Sequence, residues 1–173
     1  QTCALPISLK TSTSKPLPNR EVLEYNIMHS APVKTNTEGY RSMTKVDKRT
    51  AEDIKHRLPC ITPSVQLKGS SKKLTDFRKE TYWLMLDYDD VPPENIAALR
   101  QAARKIPFTM VFYITVSGKG FRILLRYMRP EGCNLTATEL HLLAIRKAMS
   151  MYDKLLGISS DKQCQDMVRS CGL

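Results

Sequence analysis

The chain has 173 residues, 42% hydrophobic and 25% charged, enough to bury one ordinary core. No apolar run nears the ~20 residues that span a bilayer and no secretory leader pattern is visible, so no membrane partner is expected, and the cysteine usage leads to an expected cytoplasmic location. Lysine and arginine number 27 against 17 acidic residues, a net charge of +10 that favours polyanionic partners.

In chain order, residues 1–18 are rich in Ser, Thr, Lys and Pro and read as a linker. Within them TCALPI resembles a translated sequencing adaptor, so this stretch is expected to be a leader outside the fold. Residues 19–173 are expected to form a single domain. Asn19 can cap a short helix whose Val22, Leu23, Asn26 and Ile27 share a face. A polar, basic stretch follows. The next predicted helix runs from about Thr50 to Arg57 and stops before Pro59, because a residue preceding proline is pushed out of the helical region. Ile61 to Leu67 reads as an edge strand, the role to which Pro63 restricts it.

From Thr81 the pattern sharpens. Tyr82 to Leu86 is a short apolar run entering DYDD, the mark of a buried strand. Pro92 and Pro93 open a helix whose Ile96, Leu99 and Ala103 form a stripe, and Pro107 marks its end. Thr109 to Val116 is a β-branched and aromatic strand, Ser117 to Gly120 a tight turn, and Phe121 to Tyr127 a returning strand. Thr136 and Glu139 make a capping box. The helix behind it is expected to bury Leu140, Leu143, Ala144, Ala148, Met151, Tyr152 and Leu155, with Gly157 closing it. A last strand is expected within 167–173, where the apolar ending suggests a C-terminally truncated domain. The order predicts an α+β fold. Residues 81–173 would be a ferredoxin-like or RNA-recognition-motif (RRM-like) βαββαβ antiparallel sheet with helices on one face, after an N-terminal α/β extension.

Side chains alternate along a strand. Leu84, Leu86, Phe121, Ile123, Leu125 and Tyr127 suit the helix-covered side. Met85, Asp87, Asp89, Tyr113, Thr115, Ser117, Arg122 and Arg126 would lie on an open face. Asp87 and Asp89 at a strand end can converge on one cation, and Mg2+ or Mn2+ favours carboxylate oxygens plus substrate phosphate. A solvated acidic turn is the plain alternative. Ser117, Gly118, Lys119 and Gly120 offer main-chain N–H groups, a hydroxyl and an ammonium to a phosphate, or simply a hairpin turn. Asp161 and Asp166 supply further carboxylates beyond the long helix. Arg169 either contacts phosphate or pairs with Asp166. Tyr113 is a candidate base-stacking ring, whereas Tyr82, Trp83, Tyr88 and the histidines read as packing or surface residues. Five cysteines without CxxC spacing argue against disulfides and structural zinc, and Cys164 reads as a half-buried apolar residue.

The strand WLMLDYDD, the turn SGKGFRILLRY, the tail SSDKQCQDMVRSCGL and the earlier RLPCIT together resemble the VirE N-terminal-like domains of bacterial mobile elements. The resemblance covers roughly residues 21–173 and extends to the archaeo-eukaryotic primase superfamily. It implies metal-dependent nucleotidyl transfer in DNA replication by a primase or primase-polymerase. Asp87, Asp89 and Asp161 would be the catalytic and metal-holding carboxylates, and Ser117 to Arg122 would bind the nucleotide. Partners would be single-stranded or primed DNA, nucleoside triphosphates and a downstream helicase domain. Arg122 stands where the family pattern has histidine, and this departure favours a second expectation, a non-catalytic single-stranded DNA-binding module. LDYDDV also resembles the start of haloacid-dehalogenase-type (HAD-type) phosphatases, which require a parallel sheet.

Overall fold

A computed structural model describes residues 7–8, 30–58, 60–68 and 73–172. The helix expected after Asn19 lies outside these residues. Within them the chain is mixed α+β, with small antiparallel sheets and four helices.

The two residues of β1 (Ile7–Ser8), inside the stretch read as a leader, pair antiparallel with β2 (Cys60–Ile61). Helix α1 (Ala31–Met43) occupies the stretch that reads as merely polar and basic. Only Val33 and Tyr40 are buried along it, two apolar anchors two turns apart, which is too sparse a stripe to stand out in the sequence. Helix α2 (Lys48–His56) follows, its first turn held by the Asp47 carboxylate accepting from the N–H groups of Arg49 and Thr50. The single strand expected over 61–67 is two: β2, then β3 (Val65–Leu67) beyond a break at Pro63. β3 pairs with β4 (Phe77–Glu80), a strand whose charged sequence hides it.

The core sheet comprises β5 (Trp83–Tyr88), β6 (Thr109–Ile114) and β7 (Phe121–Arg126), antiparallel in the order β5-β7-β6. Helix α3 (Pro93–Arg104) links β5 to β6, and α4 (Ala137–Leu156) follows β7. Leu84, Leu86, Phe121, Ile123 and Leu125 point toward these two helices and meet Ile96, Ala103, Ile145, Ala148 and Tyr152 in the main core. That much agrees with strand alternation.

Helix α4 carries the expected capping box, and Gly157 takes the left-handed conformation (φ 70°) that ends it. Its buried stripe is nevertheless rotated from the expected one. His141, Ile145, Met149 and Leu156 face inward, whereas Leu143 and Leu155 are exposed. Both stripes have helical spacing, and tertiary packing alone selects between them.

Two expectations for the sheet are corrected. β8 (Cys171–Gly172), the expected fourth strand, pairs with β2 and does not border the core sheet. The face opposite the helices is also not open along its length. Val33, Leu58 and Ile61 from the N-terminal part cover Trp83, Met85, Tyr113 and Leu124 in a second core. Tyr113 is therefore buried, its hydroxyl directed to the Gly172 carbonyl, and it is no stacking platform.

Candidate functional site

What remains of that face is the end of β5, where DYDD leaves the sheet. Register places Asp87 directly opposite Arg122 on β7, with Tyr113 of β6 on the other side of Arg122. Asp87 is 4% exposed. Its Oδ2 accepts from Arg122 Nε at 3.0 Å, and Arg122 Nη2 lies at 3.0 Å from the same oxygen. A buried carboxylate requires such a partner, because desolvation penalises an unpaired charge severely. Arg122 Nη1 donates onward to the Gly172 carbonyl at 2.9 Å, tying the site to β8.

Asp87 Oδ1 is buried without a hydrogen-bond partner in the described structure. Asp89, two residues on, is exposed. Its carboxyl is pushed above the usual carboxylate range, first by burial, then by the charge of Asp87. Arg122 opposes the rise, and Asp161 and Asp90 add to it. Asp90 adopts a left-handed conformation (φ 53°), which turns the chain out of β5 so that Val91 N–H reaches the Lys119 carbonyl at 2.8 Å.

Asp161 arrives from beyond α4. Its N–H donates to the Asp87 carbonyl at 2.8 Å, so main-chain bonding joins the two segments. Its carboxylate accepts from Gln163 N–H at 2.9 Å and the Cys164 thiol at 3.1 Å. These bonds, in that order, hold its carboxyl below the usual range. Cys164 is buried, with Sγ also 3.9 Å from Asp87 Oδ2. Burial and then the Asp161 bond push its thiol up to about 12. Nothing in the spacing of the cysteines marks Cys164 for this place.

The Ser117–Gly120 turn closes the other side. Gly118 has φ 71°, the conformation glycine permits. Ser117 Oγ bonds Thr115 Oγ1 (3.1 Å) and accepts from Lys119 N–H (3.2 Å), so this hydroxyl braces the turn itself. Gly120 packs against β5: a Cβ there would overlap the Tyr88 carbonyl oxygen and stand 3.2 Å from both Asp89 Oδ1 and Thr115 Oγ1. Lys119 is exposed. Arg169 meets Asp166, one of its two expected partners. It pairs with Asp166 at 2.8 Å and donates to the Gln163 carbonyl at 2.7 Å.

Asp87, Asp89 and Asp161, with Arg122, thus surround the end of β5. Among the described residues no three His, Cys, Asp or Glu side chains form a ready cation cage. The donor set still fits a hard divalent cation: one buried carboxylate oxygen is unsatisfied, and burial with the neighbouring Asp87 charge raises the carboxyl of Asp89. Arginines also gather nearby that sequence reasoning passed over. Arg41 of α1 donates from Nε to the Val116 carbonyl at 3.0 Å, and Arg100 and Arg104 of α3 line the same groove as Ser117 and Gly118.

Fold and site together define an α+β domain with an acidic centre at a strand end and arginines around it. The BT4734-like N-terminal domain family matches residues 53–173, and the chain belongs to that family. No curated protein and no solved structure matches the chain. Among the described residues, no helix is long and apolar enough to cross a membrane.

Proposed function

We propose that this domain is a primase-type nucleotidyltransferase module that acts on DNA with a divalent cation. The β5-α3-β6-β7-α4 unit reads as a ferredoxin-like core whose last strand is diverted to β2. The observation that supports the function is the docking of the Asp161 segment on the main chain of Asp87, beside Asp89 and a buried Asp87 carboxylate oxygen without a hydrogen-bond partner. Asp87 Oδ1 and Asp89 would hold Mg2+ or Mn2+, with Asp161 beside them. Such a cation supplies activation of an attacking hydroxyl and screening of phosphate charge. Arg122 spends its donor fork on Asp87, which it orients, and its permanent positive charge would also attract a triphosphate. Gly120 keeps the turn close enough to Asp89 for Lys119 to serve the same phosphates.

The test is incorporation of nucleotides on a primed single-stranded template by the full chain with MnCl2 or MgCl2. Activity that disappears in Asp89→Asn, an exposed position that leaves the core intact, is the expected result. No incorporation with either cation and either dNTPs or NTPs removes the catalytic reading.

One observation favours the second reading, a non-catalytic single-stranded DNA-binding module: Arg122 already neutralises Asp87. That reading expects salt-sensitive DNA binding without cation dependence. The antiparallel pairing of every strand among the described residues weighs against the phosphatase reading.

A further inference from the structure

A groove of about 560 Å³ lies on the far side of the Ser117–Gly120 turn, between α3, β6 and α1. Arg41, Arg100 and Arg104 line it above a floor that includes Ile96 and Ile114, and no carboxylate is among its lining residues. Arg100 and Arg104 are exposed and ion-pair with no described residue. Like charges four apart on a helix disfavour it, although Arg104, in the last turn of α3, also suits the helix dipole. Arg41 is held differently. Its bond to the Val116 carbonyl sets the guanidinium over Gly118, about 3.5 Å from where a Cβ would stand. The same turn that forms the groove's wall through Ser117 and Gly118 touches Asp89 through Gly120. A chain lying in the groove would be led to the carboxylates.

We propose that this groove binds the phosphodiester backbone of a single-stranded nucleic acid. Arginines in a groove free of carboxylates match a repeating phosphate, and guanidinium forks bind phosphate oxygens in pairs. The exposed Ile114 side chain and its neighbour Ile96 suit the apolar face of a sugar or base. The proposal rests on the nucleic-acid reading of the acidic centre but is separable from its catalysis.

The experiment is fluorescence anisotropy of a labelled (dT)20 with the full chain across a salt series. The variants are Arg100→Glu with Arg104→Glu, Arg41→Gln, and Lys147→Glu with Lys154→Glu on exposed α4 as a charge-matched control. The α3 double variant is expected to weaken binding at least about tenfold and flatten the salt slope by roughly 1.4, the value for two lost phosphate contacts on a single strand. Arg41→Gln should weaken binding to a lesser degree. Unchanged binding by the α3 variant, or equal loss in the α4 control, overturns the proposal. So does displacement of (dT)20 by equimolar inorganic triphosphate, which would mark a free-nucleotide site. Groove-dependent binding without nucleotide incorporation would leave this proposal standing while the catalytic reading falls.

Discussion

Tyr88 and Asp153 are joined by a 3.1 Å hydrogen bond from the phenol to the carboxylate. Asp153 also accepts from Ser160 N–H at 2.9 Å and pairs with Lys162. One carboxylate at the end of α4 therefore fastens the segment carrying Asp161 to the strand carrying Asp87 and Asp89. Burial raises its carboxyl, but the bonds from Lys162, Ser160 and Tyr88 outweigh that and leave it lowered. A carboxyl depressed in the folded state contributes stability above its unfolded value, and the contribution is lost as pH falls through the folded value. Asp153→Ala is expected to cost about 1–2 kcal/mol at neutral pH, less in acid, and, at the cation site proposed above, to weaken Mn2+ binding by loosening Asp161. Urea denaturation at several pH values and Mn2+ titration calorimetry check both.

Arg122→Met leaves the buried Asp87 carboxylate without its partner. A loss of roughly 3 kcal/mol is expected. If Asp87 faces a cation site, millimolar Mn2+ should restore part of that loss, because a ligand bound only by the folded state stabilises it. Thermal denaturation with and without Mn2+ decides: a variant whose Tm ignores the cation argues against coordination by Asp87.

Asp89→Asn should raise Tm at neutral pH in cation-free buffer. The folded-state pKa lies above the unfolded one, so the folded chain holds a proton the unfolded chain releases. Stability therefore declines as pH rises through that interval, and asparagine removes the decline. The same carboxyl should make cation affinity fall as the pH is lowered into the interval, read as proton release on Mn2+ binding.

Gly120→Ala should cost roughly 1–3 kcal/mol, since the new Cβ overlaps the Tyr88 carbonyl and only movement of the β6–β7 turn relieves it. Gly132→Ala is the contrast. Its φ of 71° strains any side chain, but nothing lies within 4 Å, so that loss should come without loss of Mn2+ affinity. Equal effects of both substitutions on affinity would show that Gly120 plays no part in positioning Asp89.

Much of the core was legible locally. The apolar run into DYDD, the paired prolines before α3, the β-branched run of β6 and the Thr136–Glu139 box each describe a short segment's own conformation, and the structure keeps them. Alternation also assigned Leu84 and Asp87 to opposite faces correctly. The failures share one cause. Helix α1 offers two anchors, Val33 and Tyr40, and β4 is mostly charged, so neither announces a partner it acquires only in three dimensions. The α4 stripe was misplaced because several apolar rows on one helix satisfy the same period.

By itself the sequence determined which segments are strands and helices in the core, and that Asp87 and Asp89 end a strand. Those properties follow from bond geometry within a few residues. Only tertiary structure decided that residues of α1 and β2 cover part of the second sheet face, that Arg122 pairs with Asp87, and that Asp161 docks on the Asp87 carbonyl. It also gathered Arg41 with Arg100 and Arg104. Such pairings depend on which distant surfaces exclude water together, and periodicity in one segment carries no information about its partner.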